Sequence, residues 1–252
     1  MSIMAIGSGS HDIYSHISSG KRINSAADDA SGLAIAQKLK TEETGLNVGA
    51  ENAKAGVGAL NVADGALGGV MDYLQRIREL ALRSMNGLTT GSDKKIYQDE
   101  INQLKEGIQS LAKGTSLNEQ SLLDGSKADL HLATNPKGGG MSIQMADSTL
   151  AALGIEDFDV TGDFNLEDID NAMNIVSAQR GYLGASTNRL EHTYNYNMNA
   201  SLQQLKSRSS LEDLDIGKAV SEKQKQDILN QYRIMVQKKR QEQEGFVTRL
   251  FR

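Results

Sequence analysis

The chain has 252 residues, of which 38% are hydrophobic and only 4% aromatic, and it contains neither Trp nor Cys. This composition favours a thin, extended structure over a deep globular core, and it excludes disulfides and thiolate metal sites. The net charge of −5 gives no basis for broad electrostatic attraction to nucleic acid or to an anionic membrane.

A seven-residue apolar repeat dominates the first third of the chain. It consists of two rows offset by three residues: Leu39, Leu46, Ala53, Leu60, Leu67, Leu74, Ala81 and Leu88, then Gly49, Gly56, Ala63, Val70 and Ile77. This spacing is typical of a helix that buries one stripe, here called the heptad seam, and it predicts a helix over residues 24–86. The helix contains many interior glycines, which should let neighbouring helices approach closely. Because each costs up to about 1 kcal/mol relative to Ala, the helix should depend on packing for its order.

Three further elements follow in the chain. Three- and four-residue apolar spacing predicts a helix over residues 93–112, and alternation around a Gly-rich turn with Pro136 predicts a β-hairpin over residues 128–146. A helix over residues 166–208 repeats the seven-residue pattern and should cover the heptad seam; its apolar row is Ile169, Met173, Val176, Leu183, Leu190 and Tyr194. The predicted fold is therefore mainly α: an elongated antiparallel helical bundle, or coiled-coil rod, with one β-hairpin.

The sequence contains no convincing site for chemistry. Asp28 and Asp29 are adjacent, and on a helix such neighbours point about 100° apart, so a capping or charged role is favoured over catalysis. His11 and His16 are one residue too far apart for a metal pair on a helix. We therefore predict no catalytic residues, no metal, no cofactor and no enzymatic activity.

Three segments resemble the signature sequences of bacterial flagellins. These are Ser18–Ile35 (SSGKRINSAADDASGLAI), Leu74–Ala81 (LQRIRELA) and Ser207–Asp215 (SRSSLEDLD). They are long, correctly ordered and separated as in that family, and the resemblance covers residues 18 to about 230. It implies a structural subunit that is exported without a cleaved signal peptide and polymerises with itself into the motility filament.

The resemblance also implies a division of the chain. Residues 1–23 and 216–252 would be terminal helical arms that form the filament core, and residues 24–215 would be the rod domain, without the variable outer domains of many flagellins. The arms contain apolar residues with no visible partner in the rod, which predicts an assembly interface: Ile13, Ile17, Ile228, Tyr232, Met235, Phe246, Leu250 and Phe251.

The family implies partners beyond the filament itself. A flagellar export chaperone and cap proteins are expected, and an animal Toll-like receptor is expected to bind the helix that contains Gln75, Arg76, Arg78, Glu79 and Leu80. Arg76 would supply a planar five-donor group and Leu80 an apolar contact; an ordinary solvated helix face explains the same residues equally well. Gly107 stands where receptor-active flagellins have a contacting Glu, which predicts weak activation.

Other functions remain open at this stage. The segment before Ser18 is about half the length usual in the family, and residues 237–244 are rich in Lys, Arg and Glu instead of Ala and Asn. These departures favour, as the alternative, a minor hook–filament junction-type protein or a secreted flagellin-like protein that does not polymerise. A protease domain on a flagellin scaffold is the enzymatic alternative, but the sequence has no His-Glu-x-x-His motif.

Overall fold

The structure of the chain, a computed structural model, describes residues 8–250, with side chains described over residues 13–244. Its helices are α1 (Ser8–Ser19), α2 (Ala26–Ser84), α3 (Gly91–Gly114), α4 (Leu150–Leu153), α5 (Leu166–Glu212) and α6 (Ile216–Leu250). Its strands are β1 (Ser116–Leu117), β2 (Gln120–Ser121), β3 (Asp129–Ala133) and β4 (Gly140–Gln144). The predicted mainly-α class is confirmed, and α2, α3 and α5 begin and end within a few residues of their predicted limits.

The chain divides into two compact units. One contains Thr44–Ser201, and the other contains the chain up to Glu43 together with the chain from Leu202 onward. These limits fall inside α2 and α5, whereas the sequence-based division into arms and rod falls at residues 23 and 216. The predicted division concerns the assembled filament, so it stays a prediction.

The heptad seam forms the core of the 44–201 unit. Leu60, Leu67, Leu74 and Ile77 of α2 are fully buried together with Val176, Leu183 and Leu190 of α5. Ile101 and Ile108 of α3 belong to the same cluster. The burial of both rows confirms the predicted seam between Leu46 and Ala81.

The seam ends earlier than its sequence repeat. Leu88 lies beyond the end of α2 and is 89% exposed, so its predicted place in the seam is wrong. The reason is the turn that follows Ser84: Thr90 begins α3 with a reciprocal capping box to Asp93. Such a cap stabilises the start of a new helix and so prevents α2 from extending across these residues.

Ion pairs fix the direction of the helices around the seam. Arg78 of α2 bonds Asp170 at the start of α5, 2.6 Å away, and Arg180 further along α5 bonds Asp64 earlier in α2, at 2.8 Å. Pairing of later α2 residues with earlier α5 residues means that the two helices are antiparallel. Each pair is partly exposed, so it contributes little stability but restricts the register in which the helices pack.

Two glycines of α2 allow both the hairpin and α5 to pack closely on the helix. Strands β3 and β4 pair antiparallel with Leu130 opposite Ile143, as the alternating pattern predicts. A Cβ on Gly49 would lie 2.8 Å from the carbonyl carbon of Thr134, and a Cβ on Gly56 would collide with Leu132 of β3. The same positions also admit α5, since a Cβ on Gly49 would lie 2.9 Å from the Asn197 amide and a Cβ on Gly56 would lie 2.9 Å from Leu190. The expectation that these glycines let a neighbouring helix approach closely is therefore confirmed, and the hairpin uses the same space.

Two side-chain amides, one buried and one half-buried, bond the hairpin segment to the helices. Asn197 of α5 is buried and donates to the Thr134 carbonyl at 2.8 Å, and Asn52 of α2 donates to the Ala133 carbonyl at 2.8 Å. These bonds satisfy carbonyl groups that the close approach removes from water. Sequence analysis missed both residues, because an Asn on a helix is usually solvated and its position relative to a distant hairpin is a tertiary property.

The structure contains a second hairpin that the sequence analysis did not predict. β1 and β2 pair antiparallel around Asn118 and Glu119, which both have positive φ. Its strands are only two residues long, which is below the length at which an alternating pattern can be detected. The local signal was Asn118, since Asn tolerates the left-handed region better than most residues.

Replacing Gly49 with Ala should destabilise the fold. The new methyl group would meet the Thr134 carbonyl group and the Asn197 amide, and we expect the free energy of unfolding to fall by about 1–3 kcal/mol. Gly58→Ala is the matched control, because its Cβ would meet no atom within 4 Å and should gain about 0.5–1 kcal/mol. Denaturant unfolding followed by circular dichroism measures both; equal stability of the two variants would contradict the close hairpin approach.

Candidate assembly surface

Two distant turns are bonded together at the ends of α1 and α5. The Arg22 backbone N–H donates to the Glu212 carbonyl at 2.6 Å, and the Leu214 N–H donates to the Gly20 carbonyl at 3.0 Å. The Arg22 guanidinium donates to the Leu211 carbonyl, again at 2.6 Å. This arrangement, here called the paired turns, brings together residues about 190 positions apart and places α6 beside α1.

An ion pair and a glycine complete the paired turns. Lys21 lies 3.2 Å from the carboxylate of Glu212. Gly20 has φ +68°, a conformation that residues with a Cβ rarely adopt. All of these groups lie within the Ser18–Ile35 and Ser207–Asp215 segments, so the two signature segments form one structural element.

The adjacent carboxylates have separate capping roles. Asp28 accepts hydrogen bonds from the backbone N–H groups of Asn24 and Ser25, both at 2.9 Å. Asp29 has non-helical backbone angles and accepts from the Gly32 N–H at 2.8 Å, so it caps the continuous part of α2. The capping role favoured by the sequence is confirmed. His16 of α1 lies 3.7 Å from Asp28 and links this cap to the preceding helix.

A polar contact joins α1 and α6. Lys223 of α6 donates to the Tyr14 hydroxyl at 2.9 Å, and its ammonium lies 4.1 Å from the centre of the Tyr14 ring. The half-buried residues on the side of α6 that contains Lys223 recur at four- and three-residue steps. They are Ala219, Lys223, Gln226 and Asn230. From Ile216 to Glu244 no α6 residue is fully buried.

The opposite side of α6 is apolar and exposed. Ile228, Tyr232 and Met235 recur at four- and three-residue steps and are 66%, 63% and 66% exposed. We call these three residues the α6 apolar face. Of the other predicted assembly residues, Ile13 and Ile17 are half-buried on α1, whereas Phe251 and the side chains of Phe246 and Leu250 lie outside the described residues.

The predicted receptor-binding residues are not one exposed patch. Gln75 and Glu79 are exposed, whereas Leu80 is only 1% exposed and belongs to the core. The prediction that Leu80 offers a surface contact is therefore wrong: it lies three residues after the seam residue Ile77 and turns inward with it. Whether the remaining four residues bind a receptor stays a prediction.

The two arginines of this segment have intramolecular partners. Arg76 donates to Glu100 of α3 at 2.8 Å and to Glu79 at 2.7 Å, and these bonds raise the pKa of its guanidinium. The hydrogen bond to Asp170 likewise raises the pKa of Arg78 and lowers the pKa of the Asp170 carboxyl. Both guanidinium groups are thus fully charged and connect α2 to the neighbouring helices.

Gly107 of α3 lies in the same area and has a packing role. A Cβ there would lie 3.0 Å from the ring of Tyr73. The absence of a side chain therefore allows the Tyr73 ring to pack directly on α3.

The described residues include no cluster of three or more His, Asp or Glu placed to hold a metal ion. Among the same residues, no helix is both long and apolar enough to cross a membrane.

Long helices with a buried seam, paired turns that place α6 beside α1 and an exposed apolar face are the features of a helical structural protein. Residues 3–128 match the profile of the bacterial flagellin N-terminal helical region, and residues 166–251 match that of the C-terminal helical region. The chain belongs to the bacterial flagellin family and is a structural subunit of the flagellar filament, to which it is exported.

Individual relatives agree with this assignment. The chain is 36% identical to the flagellin of Halalkalibacterium halodurans, over 85% of this chain and 82% of that one, and 36% identical to the flagellin of Bacillus subtilis, over 85% and 84%. The crystal structure of Bacillus cereus flagellin matches with a TM-score of 0.52 at 25% identity, over 58% of this chain and 88% of that one. These matches favour a filament subunit over the hook–filament junction alternative.

The Asp28 cap should make stability depend on pH in acid. Backbone hydrogen bonds from Ser25 and Asn24 lower the pKa of the Asp28 carboxyl. The contribution of the ionised Asp28 carboxylate to the free energy of unfolding is therefore complete above the unfolded-state pKa of about 3.9. It is lost as the pH falls through the lower folded-state pKa. We expect Asp28→Ala to lower the melting temperature at pH 7 and to have a shrinking effect below about pH 4.

Melting followed by circular dichroism at pH 7, 4 and 3 measures this effect. Asp99→Ala is the control, since Asp99 is exposed and its carboxylate has no partner among the described residues; it should change the melting temperature little at any pH. An Asp28→Ala effect of constant size across this range would contradict the role of the ionised cap.

Proposed function

We propose that the chain polymerises into the flagellar filament by burying the α6 apolar face, with α1 beside it, against neighbouring copies. The observation that supports this is the arrangement of α6: its polar side contacts α1, and its apolar side faces solvent. A helix with its apolar side outward is poorly stabilised alone, which favours completion by a partner.

The energy available from this face suits a multi-subunit lattice. Full burial of Ile228, Tyr232 and Met235 would contribute about 1–2 kcal/mol for each side chain, given that roughly a third of each is already covered. A few kcal/mol per subunit is too little to hold an isolated pair against the entropy of association. The same contribution, repeated over many neighbours and added to that of the apolar residues beyond Glu244, would hold a polymer together.

The proposed filament core consists of residues 1–23 and 216–252, with residues 24–215 packed outside it. Before assembly the α6 apolar face would need cover, so we expect an export chaperone to bind this helix. At the growing end, cap proteins would receive subunits whose end helices acquire their final order only on incorporation. The chain would act without a cofactor and without enzymatic activity, in keeping with the structural role of its family.

Removing the α6 apolar face should abolish polymerisation. We expect the triple variant Ile228→Ser, Tyr232→Ser, Met235→Ser to remain a helical monomer, because these side chains make little contact within the subunit, and to fail to extend filament seeds. The matched control Ile228→Val, Tyr232→Phe, Met235→Leu keeps the apolar character and should polymerise.

Seeded polymerisation, measured by light scattering and by sedimentation of the polymer, separates the two variants. Normal extension of seeds by the serine variant would contradict the proposal. Failure of both variants with unchanged circular dichroism would show that the shapes of these side chains matter as well as their apolar character. That result would also contradict the proposal that apolar character alone is sufficient.

We also infer that the exposed part of the Gln75–Glu79 segment binds an animal Toll-like receptor, as the resemblance to flagellins implies. Gln75 and Glu79 are exposed, and the Arg76 side chain is about two-fifths exposed. Its two carboxylate partners hold the guanidinium in one position, which reduces the entropy lost on binding. Without Leu80 at the surface, the contact would be polar.

Arg76→Ala should weaken receptor binding. We expect the dissociation constant for the receptor ectodomain to rise about tenfold, which corresponds to about 1.4 kcal/mol. Arg83→Ala is the control, because Arg83 is also an exposed arginine on α2 but lies outside this segment. Surface plasmon resonance with monomeric protein measures both, and equal affinity of the two variants, or no binding by the wild type, would contradict the inference.

A further inference from the structure

We propose that a groove on one subunit binds an acidic loop of a second copy of this chain, in a head-to-tail contact that adds to the proposed polymerisation through α6. The docking groove lies between α5 and the β3–β4 hairpin. The acidic loop consists of residues 156–168, which precede and begin α5.

The docking groove has a volume of about 520 Å³ and a positively charged side. Arg189, His192 and Tyr196 occupy one face of α5, at steps of three and four residues, and Asn135 and Met141 of the hairpin segment line the other side. Tyr196 is 69% exposed. Arg and Tyr are the residue types most enriched among energetically important interface contacts.

Arg189 has no carboxylate partner among the residues whose side chains the structure describes. It is exposed, and the ion pairs and hydrogen bonds of the described residues leave its guanidinium unengaged. Arg78 and Arg180 of the same unit, in contrast, each bond an aspartate. An arginine left free beside an exposed tyrosine is suited to bind a carboxylate from outside.

The acidic loop supplies such carboxylates. Residues 156–168 contain six acidic residues and no Lys or Arg, although the net charge of the whole chain is only −5. Glu156, Asp157 and Asp163 are exposed, and their carboxylates have no partner among the described residues. This concentration of charge is complementary to the docking groove, and complementary patches steer encounters and select partners.

The loop is held in a fixed conformation by α3. Phe158 is buried and packs edge-on against Phe164, with the ring centres 5.5 Å apart. Gln98 of α3 accepts from the Val160 N–H at 2.8 Å, and Lys105 donates to the Glu156 carbonyl. Because the backbone is already ordered, binding costs less conformational entropy than it would for a mobile loop.

The two surfaces cannot meet within one subunit. Both lie in the 44–201 unit, and α5 separates Asp168 from Tyr196 by roughly 40 Å at about 1.5 Å per residue. A second copy must therefore supply the loop. A contact between different surfaces on successive copies does not close on itself, so it can repeat along a filament.

Charge reversal tests this contact specifically, because combining the substitutions should restore polymerisation, whereas it would not restore a general loss of stability. We expect Arg189→Glu alone, and Asp157→Arg with Asp163→Arg alone, each to slow seeded polymerisation at least about tenfold at low salt. The chain with all three substitutions should recover most of the wild-type rate, because its groove and loop again carry opposite charges.

A mixture adds a second, independent readout. The Arg189→Glu protein and the Asp157→Arg, Asp163→Arg protein should polymerise together, since each supplies the loop that the other's groove requires. Lys54→Glu is the control for net charge: Lys54 is exposed on α2 in the same unit, and its reversal should leave the rate within about twofold of wild type. Circular dichroism of every variant verifies the fold.

The outcomes distinguish this contact from the proposed function. If the wild type polymerises and Arg189→Glu does so at the same rate, or if the triple substitution and the mixture both fail to recover, the contact between groove and loop is wrong and polymerisation through α6 stands. If the wild type does not extend seeds, both proposals are overturned. Recovery in the triple variant and in the mixture supports the contact.

Discussion

The buried seam between α2, α3 and α5 is the interaction on which the rest of this molecule depends. Its leucines, isoleucines and valines, from Leu60 to Leu190, are removed from water almost completely, and such burial is the main favourable term in folding. The rest of the 44–201 unit is arranged on these helices. The hairpin rests on α2 at Gly49 and Gly56, and the acidic loop is bonded to α3. Gly49 and Gly56 weaken α2 as an isolated helix but allow the hairpin to pack against it.

The paired turns give a physical role to two of the three segments that resemble family signatures, Ser18–Ile35 and Ser207–Asp215. Arg22, Lys21 and Gly20 from one end of the chain bond Leu211, Glu212 and Leu214 from the other. A change in either segment would alter the same element. Because α1 ends and α6 begins at these turns, the paired turns place the two end helices side by side, which the proposed filament core requires.

Apolar residues are placed differently in the end helix α6 and in the core of the 44–201 unit. In the 44–201 unit, apolar residues face inward and charged pairs such as Arg180–Asp64 lie at the rim. In α6, the Lys223–Tyr14 contact is internal and the apolar face is outward. In the proposed filament, neighbouring copies would complete the apolar contacts that α6 lacks in the single subunit. In the same way, the acidic loop and the docking groove would leave charged groups unpaired until a second copy binds.

The sequence by itself determined the class of fold, the limits of the long helices, the seam and the family, because these depend on local periodicity and on long matched segments. It also indicated that Asp28 caps a helix, since capping acts over three or four residues. Only the tertiary structure decided that Leu80 is buried, that Asn52 and Asn197 bond the hairpin, and that Arg76 and Arg78 pair with carboxylates on other helices. Each of these depends on which residues meet across the bundle. A helical repeat specifies which face is apolar but not what lies opposite each residue, because that is set by the packing of all the helices together.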